Sequence, residues 1–299
     1  MEKVIEKAAV LIEALPYIKR FQGKLIVVKY GGSTMGEEDM MNSVLTDIVF
    51  LRLVGLHPIL IHGGGKAITE EMKSRGLKPQ FISGLRVTDE QTIKIVEDVL
   101  INIIGADIVR RISAQGAKAR EMNIHTEKFL IVRKFYPIVK SSIGKEEKKD
   151  VGFVGEIDHV DARPILDLCR EGTIPIISPL GIDEKGDIYN VNGDSMAGAI
   201  SSALKAEKLV LLTNVRGIIK DFHHTEKHEE NLISTIEMSQ IDEMIENKII
   251  IEGMIPKVNA CRKALMGGVN KAHIIDGRLL HGILLEIFTD CGVGTEIVN

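Results

Sequence analysis

The chain reads as an α/β protein built on an open, mostly parallel sheet with helices on both faces. Three observations point there. Short β-prone runs alternate with helical runs along most of the chain, glycine-rich turns follow the strands, and no internal repeat or low-complexity segment breaks the pattern. At 299 residues, 44% of them apolar, the chain can fill one large domain or two lobes that share a sheet.

The elements follow in order. Val4, Ile5, Ala8, Leu11, Ile12 and Leu15 recur at helical spacing, so an amphipathic helix precedes the first strand, and Pro16 is expected to kink or end it. Leu25 to Lys29 reads as a buried strand, followed by Gly31-Gly32 and a helix opening near the acidic run Glu37-Glu38-Asp39, where negative charge complements the helix dipole. That helix carries Val44, Leu45, Ile48 and Val49 and stops at Gly55. A second strand, Ile59 to Ile61, runs into His62-Gly63-Gly64-Gly65 and a helix ending near Gly76. Thr88-Asp89-Glu90-Gln91 has capping-box spacing and predicts a helix through Val99. Between Phe129 and Ile157 short β-prone runs flank the charged tip Lys145 to Asp150, which predicts antiparallel hairpins. A helix then ends at Gly172, a strand covers Ile174 to Ser178, and a small-residue helix begins at Asp194. The strand Leu209 to Thr213 follows, then two or three helices and a last strand near Ile297.

Composition excludes several classes. The net charge of −4, the scarcity of aromatics and the absence of Trp argue against nucleic-acid binding. The N-terminus is interrupted by Glu2, Glu6 and Glu13, unlike a secretion signal, and no stretch is apolar enough to span a bilayer, so a cytoplasmic location is expected. Three cysteines without a C-x-x-C pair fit a reducing compartment, with Cys169 and Cys261 as core residues. His223, His224 and His228 sit among charged residues and read as a solvated loop, not a metal site.

The chemistry lies in the turns. Lys29-Tyr30-Gly31-Gly32-Ser33 and His62-Gly63-Gly64-Gly65-Lys66 each end a strand and precede a helix, where bare backbone N–H groups and the helix N-terminus suit an anion. A tight turn needing positive φ would explain either one alone. Ala67 after Gly65-Lys66 rules out a P-loop, and Ile68 stands where the dinucleotide fingerprint needs its third glycine. Gly84-Leu85-Arg86-Val87-Thr88 offers a guanidinium suited to a carboxylate. Tyr189-Asn190-Val191-Asn192-Gly193-Asp194 gathers more polar groups than capping by Asp194 requires. In Gly253-Met254-Ile255-Pro256-Lys257 the lysine opposes the helix dipole and calls for an anionic partner.

Taken together, and with Gly152-Phe153-Val154-Gly155, Leu211-Leu212-Thr213-Asn214-Val215 and Leu284-Leu285-Glu286-Ile287-Phe288-Thr289, these clusters resemble the amino acid kinase family over nearly the whole chain. The resemblance implies ATP-dependent phosphorylation of the side-chain carboxylate of N-acetyl-L-glutamate to N-acetyl-L-glutamyl 5-phosphate, an early step of arginine biosynthesis. It implies Lys29 and Lys257 as stabilisers of the transferring phosphoryl group, with Asp194 orienting both. Gly31 and Gly32 would meet the nucleotide phosphates, and Asn214, Gly217 and Met254 would border the nucleotide. Gly64, Gly65, Arg86, Asn190 and Asn192 would hold the substrate. Mg²⁺ would arrive with ATP, without a metal site of its own.

Residues 1–22 are expected to form a helical extension and 23–299 the kinase domain, with a substrate lobe over about 23–180 and a nucleotide lobe over about 181–299. In the family such an extension accompanies arginine inhibition and interlaces dimers into a hexamer. A dimer or hexamer is therefore expected here, with Tyr17, Lys208, His281, Glu286 and Gly292 near an arginine effector. Gly193, Asn214 and Glu252 depart from the family's usual alanine, aspartate and glycine. A sister kinase for aspartate or carrier-linked aminoadipate, and a sensor without turnover, are the competing readings. Arg86 and Asn190 favour the free acetylated substrate, and Lys29, Asp194 and Lys257 argue against loss of turnover.

Overall fold

A computed structural model describes residues 2–31, 38–140, 146–220, 231–251, 253–289 and 292–299. Eight strands form the central sheet: β1 (Leu25–Tyr30), β2 (His57–His62), β5 (Ala119–Glu121), β10 (Ile174–Ile177), β13 (Lys208–Thr213), β14 (Thr235–Glu237), β15 (Lys271–Asp276) and β16 (Thr295–Val298). Their order is β14-β16-β15-β13-β1-β2-β10-β5, and every pairing is parallel except β15 with β16. The helices are α1 (Glu2–Phe21), α2 (Glu38–Leu53), α3 (Gly65–Ser74), α4 (Glu90–Asp98), α5 (Ala106–Ala114), α6 (Ile124–Glu127), α7 (Arg163–Arg170), α8 (Gly193–Leu204), α9 (Ile241–Glu246), α10 (Ile255–Met266) and α11 (Gly282–Phe288).

Smaller β elements cover one end. β6 (Leu130–Lys134), β9 (Val154–Val160), β11 (Leu180–Ile182) and β12 (Ile188–Val191) close on themselves, while β3 (Phe81–Ile82) pairs with β4 (Leu85–Arg86) and β7 (Ile138–Lys140) with β8 (Glu146–Lys148) as antiparallel hairpins. The hairpins expected between Phe129 and Ile157 are thus present, with β6 antiparallel to β9.

The core splits across the sheet because side chains alternate along each strand. On β1, Ile26, Val28 and Tyr30 pack with Leu45 and Ile48 of α2 and Ile108 and Ile112 of α5. Val27 belongs to the opposite cluster, with Ile200 of α8 and Val258 of α10. By the same alternation Lys29 faces α8 and α10. The chain's two halves meet where β1 pairs with β13, and ligands of such sheets bind outside the carboxyl ends at that kind of junction.

Local expectations need correction at three helices. The first helix does not end at Pro16 but runs on to Phe21; the carbonyl deprived of a partner is that of Ile12, which is 68% exposed, so solvent can replace the lost bond. The cap before α4 is Asp89, whose carboxylate accepts from Thr92 N, and not Thr88, whose hydroxyl donates to Arg86 O. The helix then continues past Val99 as a π-helical stretch, Val99–Gly105, into α5. At α8 the cap is Asn192, which accepts from Ser195 N at 2.9 Å, so Asp194 is released from that duty.

Candidate active site

Asp194, on the first turn of α8, is 6% exposed and bridges two lysines. Lys257 Nζ donates to Oδ2 at 2.7 Å, and Lys29 Nζ lies 2.9 Å from Oδ1 in an ion pair set off the ideal hydrogen-bonding direction. Burial alone would raise the Asp194 pKa, but the two ammonium groups outweigh it and hold the carboxyl below its ordinary range. Among the described residues neither lysine has a second acidic partner, so this buried cluster carries one uncompensated positive charge.

Packing sets the geometry. α8 is rich in small residues, and Gly198 lets the backbone of α10 approach: a Cβ there would lie 2.6 Å from Ala260 O. The N-termini of α8 and α10 therefore converge, adding two positive dipole ends around Asp194 and Lys257. Pro256 in the first turn of α10 gives up an N–H that has no intrahelical partner in any case. Gly31 is pressed into the same spot, because a Cβ on it would stand 3.0 Å from Lys29 Nζ and 3.3 Å from Gly63 Cα. Gly32 lies outside the described residues, as do Glu252, Cys291, Lys145 and the three loop histidines His223, His224 and His228.

Of the expected substrate residues, Gly64, Gly65 and Arg86 lie together on the adjoining rim. Gly64 caps α3 and Gly65 is its first residue. Arg86 is 7% exposed and donates to Gly65 O and Thr69 Oγ1, both at 2.8 Å, while Nη1 reaches Met72 Sδ and the guanidinium lies 4.8 Å from the Phe81 ring centre. No carboxylate among the described residues pairs with it, and burial pushes its pKa down. Its Nε and one hydrogen of Nη1 remain uncommitted. Asn190 is half-buried on β12, and its side-chain amide makes no hydrogen bond within the described structure, whereas the oxygen of exposed Asn192 is taken by capping.

Asn214, Gly217 and Met254 come together. They line one cavity of about 160 Å³ with Ile218, Ile249 and Ile251, and Lys257 stands at its edge. At Gly217 φ is +148°, and a Cβ would meet Thr295 Oγ1 at 2.6 Å, so glycine is required there. The isoleucines of this wall were not singled out in sequence, because nothing separates them from core residues before the fold is known.

A second cavity, of about 440 Å³, lies against α1 and holds Tyr17, Lys208, Glu286 and Gly292. His281 does not line it. That histidine turns to α2, where its Nδ1 is 2.6 Å from Asp47 Oδ1 and its backbone N–H donates to Ser43 Oγ. The histidine in the cavity is His273, whose position in the apolar strand Lys271–Asp276 was the available signal. Its Nδ1 is 2.7 Å from Glu286 Oε1 and its Nε2 is 3.1 Å from Lys208 Nζ. Burial pushes the pKa of both Lys208 and His273 down; burial would raise that of Glu286, but the bond to His273 holds it low. His273 is then a neutral imidazole donating through Nδ1 and accepting from the lysine.

Cys169 and Cys261 are buried, and burial pushes the Cys169 thiol up to about 11 and that of Cys261 further, in keeping with core packing. Among the described residues no helix is long and apolar enough to cross a membrane.

Known proteins resemble the chain over its whole length. Residues 24–276 match the amino acid kinase family. The acetylglutamate kinase of Heliobacterium modesticaldum is 44% identical over 299 residues, covering all of both chains. That of Methanocaldococcus jannaschii is also 44% identical, covering all of this chain and 98% of its own. Among solved structures, N-acetylglutamate synthase from Neisseria gonorrhoeae, complexed with coenzyme A and N-acetyl-glutamate, superposes with a TM-score of 0.81 at 25% identity. That match covers 98% of this chain, which spans 63% of the synthase. Carbamate kinase from Giardia lamblia shares the fold at 14% identity, with a TM-score of 0.62 over 92% of this chain and 98% of its own. The chain belongs to the amino acid kinase family and, within it, to the acetylglutamate kinases.

Proposed function

We propose that the protein transfers the γ-phosphoryl group of ATP to the side-chain carboxylate of N-acetyl-L-glutamate, forming N-acetyl-L-glutamyl 5-phosphate for arginine biosynthesis. The observation that carries this is the single buried carboxylate of Asp194 holding two lysines from different elements. A substrate carboxyl with a pKa near ~4.3 is already ionised at neutral pH and needs no general base. Its obstacle is the approach to a polyanion, since two unit charges ~4 Å apart repel by about 4 kcal/mol at an effective dielectric of 20. Lys29, Lys257 and the two helix N-termini supply fixed positive charge where the phosphoryl group moves, and Asp194 keeps both ammonium groups aimed.

The substrate's identity rests on the full-length relatives named acetylglutamate kinase and on the synthase solved with N-acetyl-glutamate. The buried, acid-free Arg86 and the uncommitted Asn190 amide support it, as groups able to receive the remaining carboxylate and the amide of that molecule. The apolar cavity at Asn214, Gly217 and Met254 suits the adenine of ATP. Mg²⁺ enters as part of the nucleotide substrate, because both oxygens of Asp194 are taken by lysines. Initial rates of ADP release with N-acetyl-L-glutamate, L-glutamate and L-aspartate test the assignment: turnover should be confined to the first, and equal or higher kcat/KM with either of the others would overturn it.

The cavity against α1 supports a finer proposal, L-arginine as an effector. It presents acidic Glu207, Glu286 and Glu296 beside basic Lys208 and Lys271, a mixed lining suited to a guanidinium at one end and an α-carboxylate at the other. On α1, Tyr17, Ile18 and Phe21 pack inward while Ile12 and Leu15 are exposed, which favours helix pairing between copies in a hexamer built of three dimers. Deleting residues 1–20 should reduce the mass seen by light scattering to that of a dimer and weaken arginine inhibition together. An unchanged mass, or an intact enzyme indifferent to millimolar arginine, would remove this proposal.

A further inference from the structure

Beneath the Gly63-Gly64-Gly65 turn lies a buried polar line that the phosphoryl-transfer chemistry does not use. His62, the last residue of β2, is 0% exposed. Its Nδ1 is 3.1 Å from Gly63 O, and its Nε2 is 3.0 Å from Ser178 Oγ, just beyond β10. The Ser178 hydroxyl donates in turn to Glu121 Oε1 at the end of β5, and the second Glu121 oxygen lies 3.8 Å from His62 Nε2. Strand register explains the gathering. Ile61 pairs with Ile177 and Ile176 with Glu121, so three adjacent parallel strands end together and bring these residues to one spot.

A carbonyl oxygen only accepts, so the contact with Gly63 requires a proton on Nδ1. On its other side Nε2 meets the Ser178 hydroxyl, which is itself tied to Glu121, so the ring is held at both nitrogens. The Gly63–Gly64 peptide is then fixed in direction. The Gly63 N–H donates to Tyr30 O at 2.8 Å and its carbonyl points down to the imidazole. Carbonyl and N–H of a trans peptide point opposite ways, so the Gly64 N–H is turned up to the rim. A Cβ on Gly64 would stand 2.5 Å from Leu100 Cδ2 and 2.9 Å from Ile104 Cδ1, so a larger residue there would have to displace both side chains.

We propose that His62 is a positioning residue for the acceptor substrate: through Nδ1 it fixes the Gly63–Gly64 peptide so that the Gly64 amide is presented to N-acetyl-L-glutamate, with Ser178 and Glu121 locking the ring. It cannot touch the substrate itself, being wholly enclosed. The proposal rests on the acceptor assignment above.

Two replacements separate positioning from ring packing. In His62→Asn the side-chain amide can stand where Nδ1 stood, whereas in His62→Gln it reaches only toward the Nε2 position. Steady-state kinetics of wild type and both variants, with folding checked by thermal melts, give the test. For His62→Gln the KM for N-acetyl-L-glutamate should rise about tenfold, the scale of one lost hydrogen bond, with the KM for ATP unchanged. His62→Asn should stay within about threefold of wild type. Ser178→Ala, which frees the ring's outer anchor but keeps its volume, should raise the same KM by a smaller factor, and it decides the matter should the Gln variant fail to fold. Equal KM values for the Asn and Gln variants, or a parallel rise in the KM for ATP, or an unchanged KM in Ser178→Ala where that variant decides, would overturn the proposal. A wild-type enzyme that does not turn over N-acetyl-L-glutamate would instead overturn the acceptor assignment.

Discussion

Asp194→Asn keeps the shape of the central side chain and removes its charge. Two ammonium groups bridged by one carboxylate at 2.9 and 2.7 Å can be no more than about 8 Å apart, so at an effective dielectric of ~20 their repulsion is about 2 kcal/mol or more once the bridge is neutral. Each lysine also loses its anchor, and the scale for removing one preorganised stabiliser of developing charge is about 10²–10³ in kcat. The expected outcome is a fall in kcat of about a hundredfold or more, with a much smaller change in the KM for N-acetyl-L-glutamate. ADP release under saturating ATP measures it, and a thermal melt establishes that the variant is folded. Because the three residues act as a unit, Lys29→Ala should cost a similar amount, and the double variant little more than either single one. A folded Asp194→Asn enzyme keeping more than about a tenth of wild-type kcat would cap the carboxylate's contribution at about 1.4 kcal/mol and refute its orienting role.

Arg86→Ala should raise the KM for N-acetyl-L-glutamate at least about tenfold and leave the KM for ATP unchanged; calorimetry showing lost nucleotide binding with normal acceptor binding would contradict the placement. Gly198→Ala drives a methyl against Ala260 O, a backbone atom that cannot swing aside, so unfolding in denaturant should shift by about 1–3 kcal/mol, and a wild-type midpoint would show that α8 and α10 have slack. Asp194 also predicts a pH dependence. Its folded pKa is depressed, so its contribution to stability is present above the unfolded value near ~3.9 and disappears as pH falls through the folded one. Stability should therefore drop less between pH 5 and acid conditions in Asp194→Asn than in wild type, and coincident curves would contradict the ion-pair reading.

Much of this site was visible in sequence because its residues violate local rules. A lysine in the first turn of a helix opposes the dipole, and Lys257 duly finds Asp194. Two glycine runs, each after a strand and before a helix, pointed to an anion site, and in the fold Gly31 and Gly63 press against each other. What escaped depends on long-range pairing. Nothing local distinguishes Thr88 from Asp89, or Asp194 from Asn192, as the cap of the next helix, and only the close approach of α10 shows why Asp194 had to be spared. His281 and His273 are equally plausible partners for Glu286 in sequence. Strand alternation on β15 and the turn of α11 toward Asp47 decide between them. Glu121 and Ser178 are far from His62 in the chain, and only the register of three parallel strands unites them.

Trapping the acyl phosphate is the most direct test of the central claim. Wild-type protein incubated with ATP, Mg²⁺, N-acetyl-L-glutamate and hydroxylamine should yield the side-chain hydroxamate in step with ADP, one for one, and Asp194→Asn should lose both together. ADP released without hydroxamate would mean that the phosphoryl group goes to water and not to a carboxylate, and would contradict phosphoryl transfer by the Lys29–Asp194–Lys257 cluster to an acyl acceptor.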